Sequence, residues 1–98
     1  MDEYKAELRR RYRLSEQAEV LLSLIVQCKR KHGGPWVPSV DPQWVDRLEQ
    51  FYLASGSGDA RILSSLVKKG LAEWAPHLGP YACEATEDAL VYEDRVHA

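Results

Sequence analysis

The stretch from Ser57 to Thr86 constrains the fold of this chain more than any other part of the sequence. Apolar residues recur there at the spacing that keeps one face of a helix apolar, at Ile62, Leu63, Leu66 and Val67. Gly70 predicts the helix end, because a residue just past the last turn often needs a positive φ angle, which glycine adopts without strain. Two short apolar runs, 71–74 and 81–85, then flank a turn rich in proline and glycine. This order predicts a helix followed by a two-stranded antiparallel hairpin.

The first fourteen residues predict an N-terminal helix with two notable faces. Tyr4, Leu8 and Tyr12 form a stripe too narrow to bury alone, so we expect it to dock on the rest of the domain or on a second copy of the chain. The helix also carries the densest basic run of the sequence, which consists of Arg9, Arg10, Arg11 and Arg13. A solvated helix face paired with nearby acidic residues is one interpretation of this run, and contact with phosphate groups is the other.

Ser15 to Lys31 predicts the central helix of the core, with Ser15 as its N-cap. Its apolar residues follow the helical period and extend beyond one face: Leu14, Ala18, Val20, Leu21, Leu22, Leu24, Ile25, Val26 and Cys28. The following basic run, Lys29 to Lys31, favours the negative end of the helix dipole. Residues 33–40 should form a connection, with Trp36 at the edge of the core.

Two more helices complete the predicted order. Asp41 and Pro42 signal the start of an amphipathic helix that ends near Leu53, and small residues join it to the helix at 58–69, so that 42–70 predicts a helix-turn-helix. Thr86 can cap a last helix, 86–96. We therefore expect one mainly α domain with a small β-hairpin (α+β), with about four to five helices over residues 1–98.

The charge distribution limits the classes of partner. The net charge is −2, but residues 1–35 carry eight Lys/Arg against five Asp/Glu, and residues 36–98 carry five against ten. The chain is therefore not basic overall, as many nucleic-acid-binding proteins are, and any nucleic-acid surface must be a local patch.

No apolar run approaches the length of a membrane span, and the N-terminus lacks the pattern of a secretory signal, so we expect a cytoplasmic protein. Cys28 and Cys83 then predict two reduced thiols, although a disulfide between them is an alternative. Without a Cys/His cluster or a phosphate-binding glycine loop, we expect no metal and no cofactor. The three histidines have no acidic residue placed to orient them, so an enzyme is not expected.

The segments ARILSSLVKKGLAEW and YACEATEDAL resemble the recognition helix, wing and following helix of winged helix-turn-helix proteins, with MarR-type and PadR-type repressors as the nearest examples. The resemblance rests on the junction from Leu66 to Leu71 and on the entry into the last helix at Ala85 to Glu87. It implies a DNA-binding transcription regulator that reads two half-sites of double-stranded DNA as a homodimer, with the stripe of the N-terminal helix as a candidate dimerisation element. Its major-groove residues would be Ser57, Arg61, Ser64, Ser65 and Lys68, which share the polar face of the helix.

The predicted wing, 71–85, departs from the family pattern. Its turn offers only His77, which is not a fixed positive charge, where DNA-binding members carry basic residues. This departure, the acidic second half and the possible exposure of Trp36 and Trp74 keep a second hypothesis open. In that alternative the chain is a winged-helix protein-interaction module, such as an adaptor or an inhibitor of a larger DNA-handling machine.

Overall fold

The secondary structure has the predicted order wherever the structure describes the chain. In this computed structural model the described residues are 3–37, 58–79 and 81–97, with only the backbone of 58–60. The helices are α1 (Glu3–Tyr12), α2 (Glu16–His32), α3 (Gly58–Lys68) and α4 (Glu87–Val96), and the strands are β1 (Ala72–Trp74) and β2 (Cys83–Ala85). The described part is thus mainly helical with one two-stranded antiparallel sheet, which confirms the predicted α+β class. The predicted helix at 41–53 and the turn at 54–57 lie outside the described residues.

Helix α2 begins and ends at the predicted signals. The Ser15 side chain accepts a hydrogen bond from the backbone N–H of Ala18 at 3.2 Å, which satisfies one of the free donors of the first turn. Gly33 has a φ angle of 70°, and its N–H donates to the Lys29 carbonyl at 2.8 Å. This left-handed residue closes the C-terminal end of the helix.

The core is built around α2, which packs against α3, α4 and β2. Its fully buried side chains are those of Leu21, Leu22, Ile25 and Val26. The sequence also predicted Val20 as part of a widened apolar face, and this prediction is wrong, because the Val20 side chain is 54% exposed. Helix α2 is therefore buried along one broad side rather than around its circumference. None of the helices within the described ranges combines the length and apolar content needed to cross a bilayer.

The narrow stripe of α1 docks within the same chain. Helix α1 packs against α4, and Leu8 is only 3% exposed. Tyr12 meets Tyr92 of α4 edge to face, with ring centroids 5.6 Å apart, a favoured geometry for aromatic pairs. Leu8 and Tyr12 therefore bury their side chains without a second copy of the chain. A homodimer stays a prediction that this packing does not test.

The junction between α3 and the hairpin is closed by backbone hydrogen bonds. Gly70 has a φ angle of 78°, as its predicted role at the helix end requires, and the N–H of Leu71 donates to the Leu66 carbonyl at 3.0 Å. Thr86 secures the same point from the other end of the hairpin. Its hydroxyl donates to the Gly70 carbonyl at 2.7 Å and accepts from the N–H of Ala89 at 3.3 Å. One side chain therefore caps α4 and ties it to the end of α3.

The sheet is small and its register is simple. Strands β1 and β2 pair antiparallel, with Ala72 opposite Ala85 and Trp74 opposite Cys83. On the other side of β2, the backbone of Cys83 exchanges two hydrogen bonds with Trp36, at 2.8 and 3.0 Å. Trp36 is 3% exposed, which confirms its place at the core but contradicts its use as an exposed interface residue. The pairing with Cys83 places it there.

We expect the substitution Thr86→Ala to lower the free energy of unfolding by about 1–2 kcal/mol, because it removes a helix cap and the link to Gly70 together. Thr86→Ser keeps the hydroxyl and should retain most of the stability. Urea denaturation of the three proteins measures the difference, and equal losses for alanine and serine would show that the methyl group matters rather than the hydroxyl.

Two titratable groups are buried in this core. Desolvation raises the pKa of the Cys83 thiol to about 12, with a smaller contribution from nearby Cys28. Desolvation also raises the pKa of the Tyr92 phenol, and so does the hydrogen bond that its hydroxyl donates to Glu19. Both groups are therefore held neutral in the folded chain at pH values where an unfolded chain begins to lose their protons.

This difference predicts a loss of stability in alkali. A group whose pKa is raised by folding contributes stability that is present below its unfolded pKa and is lost as the pH rises. The window therefore opens near pH 9, the ordinary thiol value, and extends toward pH 12. The slope should reach ~1.4 kcal/mol per pH unit for each proton that only the unfolded chain releases.

The variant Cys83→Ala/Tyr92→Phe should show a shallower decline in the free energy of unfolding between pH 9 and 12, because it lacks both groups. Urea titrations at each pH, with a reductant present, measure the two slopes. Parallel slopes for the variant and the original protein would contradict this assignment.

Candidate nucleic-acid interface

The polar face of α3 is directed toward solvent at both of its cationic positions. Arg61 and Lys68 are exposed, while Ser64 and Ser65 are half-buried at the edges of that face. Leu63 and Leu66 of the same helix are completely buried. Because apolar burial fixes which side of a helix meets the core, the opposite side is available to a partner. Ser57, the remaining predicted reader of bases, lies outside the described residues.

The structure brings the arginine run of α1 to the end of α3. Lys69, the first residue after α3, donates from its Nζ atom to the backbone carbonyl of Tyr12 at 2.6 Å, across a sequence separation of 57 residues. The C-terminal end of α1 therefore lies within reach of the Lys69 side chain, which extends from the end of α3. We call the exposed cations at these two helix ends the basic corner, defined as Arg9, Arg10, Arg13, Lys68 and Lys69.

The ion pairs distinguish the basic corner from the other basic run. On α2, Lys29 pairs with Glu84 and Arg30 pairs with Asp94, so two cations of the 29–31 run are neutralised by the hairpin and α4. On α1, Arg11 pairs with Glu7 at 3.0 Å. Within residues 3–37, 58–79 and 81–97, Arg9, Arg10 and Arg13 form no ion pair. Phosphate contacts from the 29–31 run of α2 are therefore less favoured than those from α1.

Arg13 has an unusual backbone conformation. Its φ angle is +48°, and its N–H donates to the Arg9 carbonyl at 2.9 Å. It thus occupies the left-handed position that follows a helix, which glycine usually occupies. Cations at the end of a helix also favour the negative end of its dipole, and this structural role applies to the whole basic corner. The dipole explains why cations lie at these helix ends. It does not explain why position 13, whose backbone conformation favours glycine, carries a long side chain.

The tip of the hairpin has the opposite character. We define the hairpin tip as residues 74–79 and 81, which include a 3-10 helix at Pro76–Leu78. Trp74 is 41% exposed and Leu78 is 44% exposed, and no Lys, Arg, Asp or Glu lies in this segment. The neighbouring Glu73 is exposed and has no cationic partner within the described ranges. An uncharged apolar tip beside an unpaired carboxylate is poorly suited to contact a phosphate.

Other chemistry has little support in the described part of the chain. Cys28 and Cys83 form no disulfide, and the Cys28 thiol donates a hydrogen bond to the Pro35 carbonyl at 3.3 Å. Among residues 3–37, 58–79 and 81–97, no cluster of His, Cys, Asp and Glu has the geometry to hold a metal ion.

A shallow groove runs along α2 beside His97, whose Nε2 lies 2.7 Å from a carboxylate oxygen of Glu19. The prediction that no acidic residue is placed to orient a histidine is therefore wrong at His97, because α4 packs on α2 and brings the two residues together. This contact and the hydrogen bond from Tyr92 to Glu19 join the end of α4 to α2.

No family model, curated protein or solved structure matches this chain. The case for this candidate interface therefore rests on the residues of the chain itself. The sequence singled out four of the five members of the basic corner as candidate DNA contacts, and Lys69 was not among them. Its contact with Tyr12 depends on how α1 packs, and no local signal in the sequence reports that packing.

The left-handed conformation of Arg13 should carry a measurable cost. We expect Arg13→Gly to raise the free energy of unfolding by about 1 kcal/mol, because glycine adopts a positive φ angle without steric strain. Arg13→Ala removes the same charge but keeps a Cβ atom, so it should give no such gain. Urea denaturation of both variants measures this, and equal stabilities would mean that the charge, not the backbone, sets the difference.

Proposed function

We propose that this chain is a winged helix-turn-helix regulator of transcription that binds double-stranded DNA, with α3 as its recognition helix. Arg61, Ser64, Ser65 and Lys68 would face the major groove, and the other four members of the basic corner would contact the phosphate backbone beside it. The order of elements supports the proposal, because α3 leads directly into the β1–β2 hairpin and α4 follows at once.

The observation that carries the proposal is the hydrogen bond from Lys69 to the Tyr12 carbonyl. It places the unpaired arginines of α1 beside the end of α3, although the two segments are far apart in the sequence. Phosphate contacts position a protein on a duplex, and base contacts next to them supply the sequence preference. A recognition helix with cations at its flank offers both kinds of contact on one side of the molecule.

The charge pattern indicates how strongly one copy would bind. With Arg61 and Lys68 assigned to the major groove, four cations of the basic corner are left for phosphate contacts, so we infer that one copy binds weakly and that a homodimer on two half-sites gives the working affinity. Leu8 and Tyr12 already pack against α4. Tyr4, whose ring lies 5.4 Å from the Arg95 guanidinium, is therefore the exposed part of the α1 stripe that would remain for contact with a second copy. This cytoplasmic regulator would act without a metal or cofactor.

The test is binding to random-sequence duplex DNA across a salt series, on protein whose solution mass has been measured. Each phosphate-contacting cation should steepen the slope of log affinity against log salt by about 0.9. We therefore expect Arg9→Gln/Arg10→Gln to reduce that slope by roughly 1–2 for each bound copy.

The matched control is Arg30→Gln, which removes an equally exposed type of cation that is already paired with Asp94. It should leave the salt slope unchanged. Absence of DNA binding by the original protein at low salt would refute the proposal. Equal slopes for the α1 variant and the control would instead remove the basic corner from it.

Once a preferred sequence has been selected, Arg61→Ala tests the recognition helix separately. It should lose ~1–3 kcal/mol of affinity for that sequence and relax the preference at one base position. Unchanged affinity for the preferred sequence would show that Arg61 does not read a base.

A further inference from the structure

We infer that the hairpin tip is a docking site for a protein segment that carries an apolar anchor side chain flanked by lysine or arginine. The inference concerns a surface that the proposed DNA contact does not use. It starts from the two large apolar side chains at the tip, Trp74 and Leu78, which are 41% and 44% exposed. Tryptophan is enriched among the residues that dominate binding energy at protein interfaces.

Backbone hydrogen bonds link the described residues of the tip to each other and to the residue that precedes β2. Ala75 donates to the Ala82 carbonyl at 2.8 Å, and Leu78 donates to the Ala75 carbonyl at 3.0 Å. The Trp74 and Tyr81 rings meet edge to face with centroids 6.4 Å apart. A surface that is ordered before binding loses less conformational entropy when a partner arrives. The exposed apolar side chains are therefore presented on a rigid support.

The backbone of Tyr81 adds an independent observation. Its φ angle is +63°, a left-handed conformation that aromatic residues rarely adopt. Strain of this kind persists only where the surrounding structure enforces it, and it is concentrated at functional positions. In this hairpin the strained residue is the one whose ring supports Trp74.

Charge decides which partner suits the tip. Glu84, opposite Glu73 on the neighbouring strand, is neutralised by Lys29, whereas Glu73 has no cationic partner within the described ranges. The Glu73 side chain projects from the opposite face of β1 to the Trp74 side chain, because successive side chains of a strand alternate. Since β1 is an edge of the described sheet, a partner that contacts Trp74 can also reach the Glu73 carboxylate, which repels a nucleic-acid backbone. A segment with a basic flank complements this surface, since charges at the rim of an interface select among partners.

The experiment selects random twelve-residue peptides displayed on phage against the immobilised full chain. We expect enriched peptides to combine an aromatic or aliphatic residue with Lys or Arg nearby. The affinity of the best synthetic peptide is then measured on the original protein and on four variants, one of which is a control, and each is checked for unchanged helical circular dichroism.

Trp74→Ser/Leu78→Ser should weaken peptide binding by about 30-fold or more, as loss of an interface hot spot does. Leu78→Ser alone should also weaken peptide binding. This single variant keeps the test valid if the double variant fails to fold. Glu73→Gln should weaken it by roughly 2–5-fold, with a smaller dependence on salt. The control Val20→Ser/Val91→Ser removes exposed apolar side chains from α2 and α4 and should leave the affinity unchanged.

Four results would overturn the inference. Enriched peptides that bind the tip variants as well as the original protein would place the site elsewhere, and a selection without enrichment would leave the tip without a peptide partner. A tip variant that loses DNA affinity would assign the tip to DNA. A solution mass that rises with concentration in the original protein, but not in Leu78→Ser, would assign the tip to a second copy. Since peptide binding is measured without DNA, failure of the DNA-binding proposal would not affect this result.

Discussion

The burial of one side of α2 is the constraint on which the rest of the described structure depends. Helices α3 and α4 and strand β2 all pack against this helix, and α1 reaches the core by packing on α4. Complete burial of a leucine, isoleucine or valine side chain contributes about 1.5–3 kcal/mol relative to exposure. The four fully buried side chains of α2 therefore favour this arrangement more than any surface ion pair can. The orientation of the polar faces of α1 and α3 follows from it.

The same packing determines which charges remain unpaired. The last turns of α2 lie close enough to the hairpin and α4 for Lys29 and Arg30 to find acidic partners there. Each exposed pair contributes little stability, but it neutralises a cation that a phosphate could otherwise attract. Within residues 3–37, 58–79 and 81–97, the ion pairs of α1 involve one acidic residue, Glu7, which pairs with Arg11. A chain with a net charge of −2 can thus present a local basic surface, because its acidic residues neutralise cations elsewhere.

Features with a local physical cause were predictable from the sequence. The caps at Ser15, Gly33, Gly70 and Thr86 depend on neighbouring residues, and the structure confirms each of them. Exposure of Val20 was not predictable, because the helical period shows which residues share a face but not how much of that face the packing partner covers.

The contacts that join distant segments could not be predicted from the sequence either. Lys69 meets Tyr12, and Trp36 pairs with Cys83, only because α2 sets the relative positions of the elements around it. The face of α3 and the arginine run could therefore be named in advance. Their meeting at one corner could not, since no periodic pattern connects residues so far apart.

The basic corner and the hairpin tip lie on either side of one junction. Leu71 and Thr86 are joined by a backbone hydrogen bond of 3.2 Å, and the Thr86 hydroxyl holds the Gly70 carbonyl. Binding at one surface changes affinity at the other only if the two ligands favour different arrangements of an element between them. This junction has a single, fully hydrogen-bonded arrangement in the structure, so independent binding at the two surfaces is the physical expectation. A measured coupling would require a second arrangement of the chain at Gly70 and Leu71, where α3 passes into β1.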